Sequence, residues 1–132
     1  MIETHAHLDY SDFAPDFDEV LRRATDAGVT RIISIGTSLA SSRRAVELAE
    51  THQNIYAVIG VHPTTAEEAE EDVIDPLREL SRSPRVVAIG ETGLDYHRLP
   101  SAENAKEKSA QVFAALLGET VAQLDARLHD GA

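Results

Sequence analysis

Residues 85–97 read RVVAIGETGLDYH. The apolar run Val86-Val87-Ala88-Ile89 has the length of a strand. It stops at Gly90, and Glu91 follows at once, with Gly93, Asp95 and His97 behind it. A carboxylate standing where a strand runs out is placed to hold a cation or to move a proton. What it does depends on what the other strand ends offer.

The same punctuation recurs upstream. TRIISIG at 30–36 and NIYAVIG at 54–60 are apolar runs that end on glycine, and ETH at 3–5 reads as a short first strand. Helical patterns separate them. Pro15 is expected to open a helix as a first-turn residue, with Phe17, Val20, Leu21 and Ala24 on one face and Gly28 as its stop. Ser38 is expected to cap a helix over 39–51 that turns Ala45, Val46 and Ala49 inward. Thr65 and Glu68 have capping-box spacing for a short acidic helix. Asp75-Pro76 restarts that helix, since proline tolerates the first turn, and Leu77 and Leu80 mark its apolar side. Residues 104–129 read as one more helix, interrupted at Gly118. Strands alternating with helices predict an α/β fold with a parallel sheet and right-handed crossovers.

Composition bounds the functions open to this chain. Its 132 residues suit one domain. There are no cysteines, which excludes disulfides and thiolate metal sites. No apolar run reaches membrane-spanning length, and the start, MIETHAHLDY, lacks the organisation of a signal peptide. A cytoplasmic protein is expected. The net charge of −11 is opposite to what a polyanion binder uses. Either it serves solubility alone, or bound divalent cations draw an anionic substrate.

Three groups of residues carry chemistry. His5-Ala6-His7 places two imidazoles on one face of a strand, because residues i and i+2 point the same way; together they can share a cation. Asp9 is the nearby candidate to accept a hydrogen bond from a ring nitrogen left off the metal. Glu91 is the second group, at the end of the fourth strand, where parallel α/β folds collect functional groups. Its plainer reading is a salt-bridging acid, but Gly90 and Gly93 flank it as at a tight turn near a ligand. His62-Pro63 is the third. Its imidazole would contact a substrate phosphate, serve as acid or base, or simply bond loop backbone. Arg98, after Tyr96 and His97, can meet an anionic substrate as a bidentate donor or lie on the surface. His52 and His129 receive no chemistry. The serines have no evident His–Asp partners, so nucleophilic catalysis is not supported.

Taken together, ETHAHLDY at 3–10, GVHP at 60–63 and VVAIGETGLDYH at 86–97 resemble the TatD family of metal-dependent hydrolases, in the amidohydrolase-like barrel group. DAGVTRIISIGTS at 26–38 is similar in style. The resemblance implies a partial (β/α)8 TIM-type barrel of about four βα units. Residues 1–103 would be its N-terminal half, and 104–132 a C-terminal helix that departs from the family pattern. It implies divalent cations, two per site in the family (magnesium, manganese or zinc), and hydrolysis of phosphoester bonds, as in a deoxyribonuclease. By motif, His5 and His7 would ligate one cation, Glu91 would bridge to the second, and His62 would lie by the substrate phosphate of DNA. Catalysis would rest on Glu91 and His62.

The family continues through four further strands that supply two more histidine ligands and a late aspartate, and a full barrel takes about 250 residues. AALLGETVAQLDARLHDGA at 114–132 shows no strand and no ligand motif. Two functions are therefore weighed. One is an active metal-dependent phosphoesterase. The other is a truncated, catalytically incomplete half-barrel that binds metal or self-associates without turnover. Self-association is expected through two open sheet edges and through an inner face carrying Ile33, Ile35, Val58 and Val87.

Overall fold

Four strands lie side by side in chain order, all parallel. The computed structural model describes residues 1–69 and 72–93. The expected helix over 104–129 and the residues Tyr96, His97 and Arg98 lie outside that range. Strand β1 is Ile2–Ala6, β2 Arg31–Ile35, β3 Ile55–Ile59 and β4 Val86–Ile89. Helix α1 (Phe17–Asp26) joins β1 to β2, α2 (Leu39–Thr51) joins β2 to β3, and α3 (Ile74–Leu80) precedes β4. Strand order that advances one step per crossover, always in the same direction, is how a (β/α) barrel grows; an open doubly wound sheet would reverse direction. Among the described residues, no helix is long and apolar enough to cross a membrane.

The elements follow from their residues. Helix α2 begins where expected: the Ser38 hydroxyl accepts from the Ser41 N–H at 3.2 Å, capping an otherwise unpaired donor. Ala45, Val46 and Ala49 are buried as read from the periodicity, together with Leu39 and Leu48. They pack on Ile32, Ile55, Ala57 and Ile59, the side chains that the pleat turns toward the helices. Each fully buried valine, leucine or isoleucine side chain here is worth roughly 1.5–3 kcal/mol. Helix α1 buries Leu21, keeps Phe17 and Ala24 half-buried, and stops at Gly28, whose φ of +85° is costly for any other residue.

Two expected helix starts are corrected. Pro15 does not open α1; it lies inside a 3-10 segment, Ser11–Asp16, and the α-helix begins at Phe17. Thr65 caps no α-helix. Residues Pro63–Glu68 form a 3-10 segment headed by His62, and the Thr65 hydroxyl donates to the carbonyls of Thr37 (2.8 Å) and His62 (3.0 Å). The α-helix that follows starts at Ile74, and Pro76 falls within its first turn.

The opposite face of the sheet also departs from expectation. Val87 is 50% exposed, as expected of an uncovered inner face, but Ile35 and Val58 are 5% and 8% exposed. At the far end of this face, Arg85 lies over the Tyr56 ring, 4.2 Å from its centroid. Its guanidinium donates to the carbonyls of Ala49 (2.9 Å), Gln53 (2.8 Å), His52 (3.2 Å) and Ile55. One side chain thus gathers the end of α2 and the start of β3 beneath the sheet.

Candidate metal centre

The carboxyl ends of the four strands are stitched to one another beyond the last paired residue. The Gly36 N–H donates to Val58 O (2.8 Å), the His62 N–H to Thr37 O (2.9 Å) and the Gly90 N–H to Ile59 O (2.9 Å). Buried serines complete the seam. Ser34 accepts from the Leu8 N–H at 3.3 Å. Ser42 accepts from the Gly60 N–H (3.0 Å) and lies 3.2 Å from the Gly60 carbonyl. Both serines are fully buried. The segments after β1, β3 and β4 therefore leave the sheet at one level, and the side chains that follow meet at one mouth.

His5, His7 and Glu91 meet there. One donor atom from each lies within 4.8 Å of the others. Ligands about 2.0–2.2 Å from a common ion can stand roughly 4.2 Å apart at most, so small side-chain adjustments close the set. Two imidazoles and a carboxylate are a donor set for a divalent cation of the zinc or manganese kind. The His5 and His7 rings meet edge to face, 5.2 Å between centroids, and His7 stacks on Tyr10 at 5.1 Å. Tyr10 carried no sequence signal for this role.

The orientation of His7 is set by backbone. Its Nδ1 lies 3.0 Å from the Ile35 carbonyl oxygen. A carbonyl only accepts, so Nδ1 carries the proton and Nε2 keeps its lone pair for a cation. Asp9, the expected acceptor for this ring, has another partner. Its Oδ2 accepts from the Ser41 hydroxyl at 2.6 Å, and its buried Oδ1 has no hydrogen-bond partner. Ser41 in turn accepts from the Thr37 N–H at 3.1 Å. The Ser41–Asp9 pair ties the loop after β1 to the first turn of α2.

Glu91 turns one carboxylate oxygen to each side. Oε2 is 3.6 Å from His5 Nε2, and Oε1 is 3.9 Å from His62 Nε2. The peptide bond preceding it, Gly90–Glu91, is cis. His62 therefore stands beside the triad, as its place after β3 predicts. Its Nδ1 is held by Thr64, through the backbone N–H at 3.2 Å and the hydroxyl at 2.7 Å. His52 is remote: it ends α2, with Nδ1 3.1 Å from Leu48 O and its ring against Phe17. Arg98 is not among the described residues.

The family model for TatD-related DNases matches residues 2–122. The chain belongs to the TatD-related DNase family. It is 42% identical over 97 residues to the metal-dependent hydrolase YabD of Bacillus subtilis, covering 74% of this chain and 38% of that protein. It is 40% identical over 120 residues to the 3′-5′ ssDNA/RNA exonuclease TatD of Pantoea ananatis, covering 90% of this chain and 46% of that one. Among solved structures it is similar to YjjV, a TatD homologue of Escherichia coli, with a TM-score of 0.77 and 32% identity over 89% of this chain and 45% of the other. A TatD-family hydrolase from Entamoeba histolytica gives a TM-score of 0.76, also at 32% identity, over 88% of this chain and 44% of the other. This TatD-related chain thus spans less than half the length of these relatives, and its fold is a partial barrel of the same kind.

Proposed function

We propose that this mouth serves metal-dependent hydrolysis of phosphoester bonds in single-stranded nucleic acid. The observation that carries the reading is the convergence of His5, His7 and Glu91 from two different strand ends. The names of the relatives, a metal-dependent hydrolase and an exonuclease, point the same way. His5 and His7 would hold a divalent cation, and Glu91 would share it and bridge toward a second. Magnesium, manganese and zinc all suit such donors. When bound, the cation would supply Lewis acidity to a phosphate oxygen and would lower the pKa of water.

The residues themselves divide the remaining work. The Ile35 carbonyl fixes the His7 ring so that Nε2 faces the mouth. Glu91 turns one oxygen toward His5 and the other toward His62, and His62 would lie by the substrate phosphate. Arg98, further along the chain, would bind the substrate's charge. A cytoplasmic setting is part of this proposal.

A second reading is a metal-binding module without turnover that self-associates through the edges of β1 and β4. Exposed Ile2, at 51%, and Val87 on those strands favour it. Incubating the purified chain with single-stranded DNA and manganese separates the two. Hydrolysis that disappears in Glu91→Gln supports the enzyme. Metal binding by a self-associated chain that cleaves nothing supports the module.

A further inference from the structure

We infer that Thr64 is a positioning residue that makes His62 a fixed hydrogen-bond donor toward the mouth, which excludes it as a ligand or a base. The argument begins with the backbone. The Thr64 N–H points at His62 Nδ1 from 3.2 Å, and an N–H can only donate. Nδ1 must therefore present a lone pair, and in the neutral ring the proton sits on Nε2. The Thr64 hydroxyl lies 2.7 Å from the same nitrogen. With no proton on Nδ1, that hydroxyl is the donor of the pair, and it adds a second restraint on the ring. Pro63 between the two residues narrows the backbone further.

The consequence appears at the other end of the ring. Nε2 is 3.9 Å from Glu91 Oε1, so its N–H faces the candidate metal centre. A protonated Nε2 has no lone pair for a cation, and it cannot abstract a proton. It can donate to an anionic oxygen, and the ligand class it fits is a phosphate oxygen held beside the cation. His7 and His62 thus carry opposite tautomers. The Ile35 carbonyl puts the His7 proton on Nδ1, and Thr64 puts the His62 proton on Nε2. This assignment of the ligand rests on the phosphoester reading given above; the tautomer does not.

Imidazole nitrogen resonances test the inference without any turnover. Long-range proton–nitrogen spectra are recorded on the wild-type chain at a pH well above the ordinary histidine range, before and after adding inorganic phosphate with manganese replaced by diamagnetic zinc. The wild type is expected to show His62 as the Nε2–H tautomer, with Nδ1 shifted as an accepting nitrogen. Thr64→Ala, which keeps the backbone N–H, is expected to keep the Nε2–H tautomer but to move Nδ1 toward the position of a more weakly bonded nitrogen, and Thr64→Ser to restore the wild-type pattern. A merely structural threonine would leave these resonances in place. An Nδ1–H tautomer in the wild type, or a His62 pattern unchanged in Thr64→Ala, overturns the inference. Phosphate that moves His62 Nε2 supports the ligand class. The expected tautomer with no response to phosphate upholds Thr64 and removes the phosphoester reading instead.

Discussion

A methyl group on Gly60 would stand 2.6 Å from the carbonyl oxygen of Gly90 and 2.9 Å from its carbonyl carbon. The two glycines end β3 and β4, and their close approach sets the peptide from which Glu91 projects. Backbone cannot yield as a flexible side chain can. Gly60→Ala is therefore expected to cost about 1–3 kcal/mol, the range for overpacking a filled site. It should also displace Glu91 and weaken metal binding. Urea denaturation and a zinc titration of the same variant check both effects. Stability and affinity equal to the wild type would show that the β3–β4 junction does not position Glu91.

Metal binding should depend on residues from both strand ends. His5→Ala/His7→Ala and Glu91→Gln are each expected to weaken zinc or manganese binding by at least about tenfold, since even residues behind the ligands cost that much elsewhere. Isothermal titration calorimetry measures it. Binding undiminished in the double histidine variant would remove the site from this mouth.

Arg85 has a structural role at the opposite end of the sheet. Its guanidinium serves carbonyls of α2 and of the loop into β3, and its plane covers Tyr56. Arg85→Met keeps the stem but leaves those acceptors without their donor. A loss of about 2–3 kcal/mol is expected, the scale of hydrogen bonds to a charged group. Lysine should not rescue it, because a single ammonium cannot span the set. Guanidinium chloride denaturation of both variants decides the point.

The surface of α1 has a pH-dependent pair. Arg22 donates to both oxygens of Glu19, at 2.8 and 2.6 Å, and holds that carboxyl below the ordinary glutamate value, opposed by desolvation and helped by Arg23. The folded-state pKa is lower than the unfolded one. The stabilisation is therefore present above the unfolded value and is lost as pH falls through the folded value. Carbon-detected NMR titration should show Glu19 titrating low in the wild type and returning to the ordinary range in Arg22→Gln. Salt should shrink the difference, because the pair is open to solvent.

Much of this architecture is legible in the sequence. Apolar runs of strand length ending on glycine marked β2, β3 and β4, and the 3.6-residue pattern with Ser38 and Gly28 marked two helices, because strand and helix signals are local properties of a chain. His5, His7, His62 and Glu91 were visible by the same logic, since residues just past parallel strands must share one end of the sheet. The sequence alone also named Asp9 as a residue with a task, although it gave the wrong partner.

What tertiary structure decided is which groups touch. Ser34 and Ser42 look like ordinary polar residues in the sequence, yet both are fully buried and bind backbone at the strand ends. The acceptor for His7 is a carbonyl 28 residues away, which no side-chain pattern can announce. Ile35 and Val58, read as exposed candidates on an inner face, are buried. Sequence periodicity settles which way a side chain points. Its partner is settled by strand register, and by how closely α2 seats on glycines that leave no room for a Cβ, such as Gly36 against Ser42. Those are distances between segments far apart in the chain, fixed only when the backbone hydrogen bonds and the buried core are satisfied together.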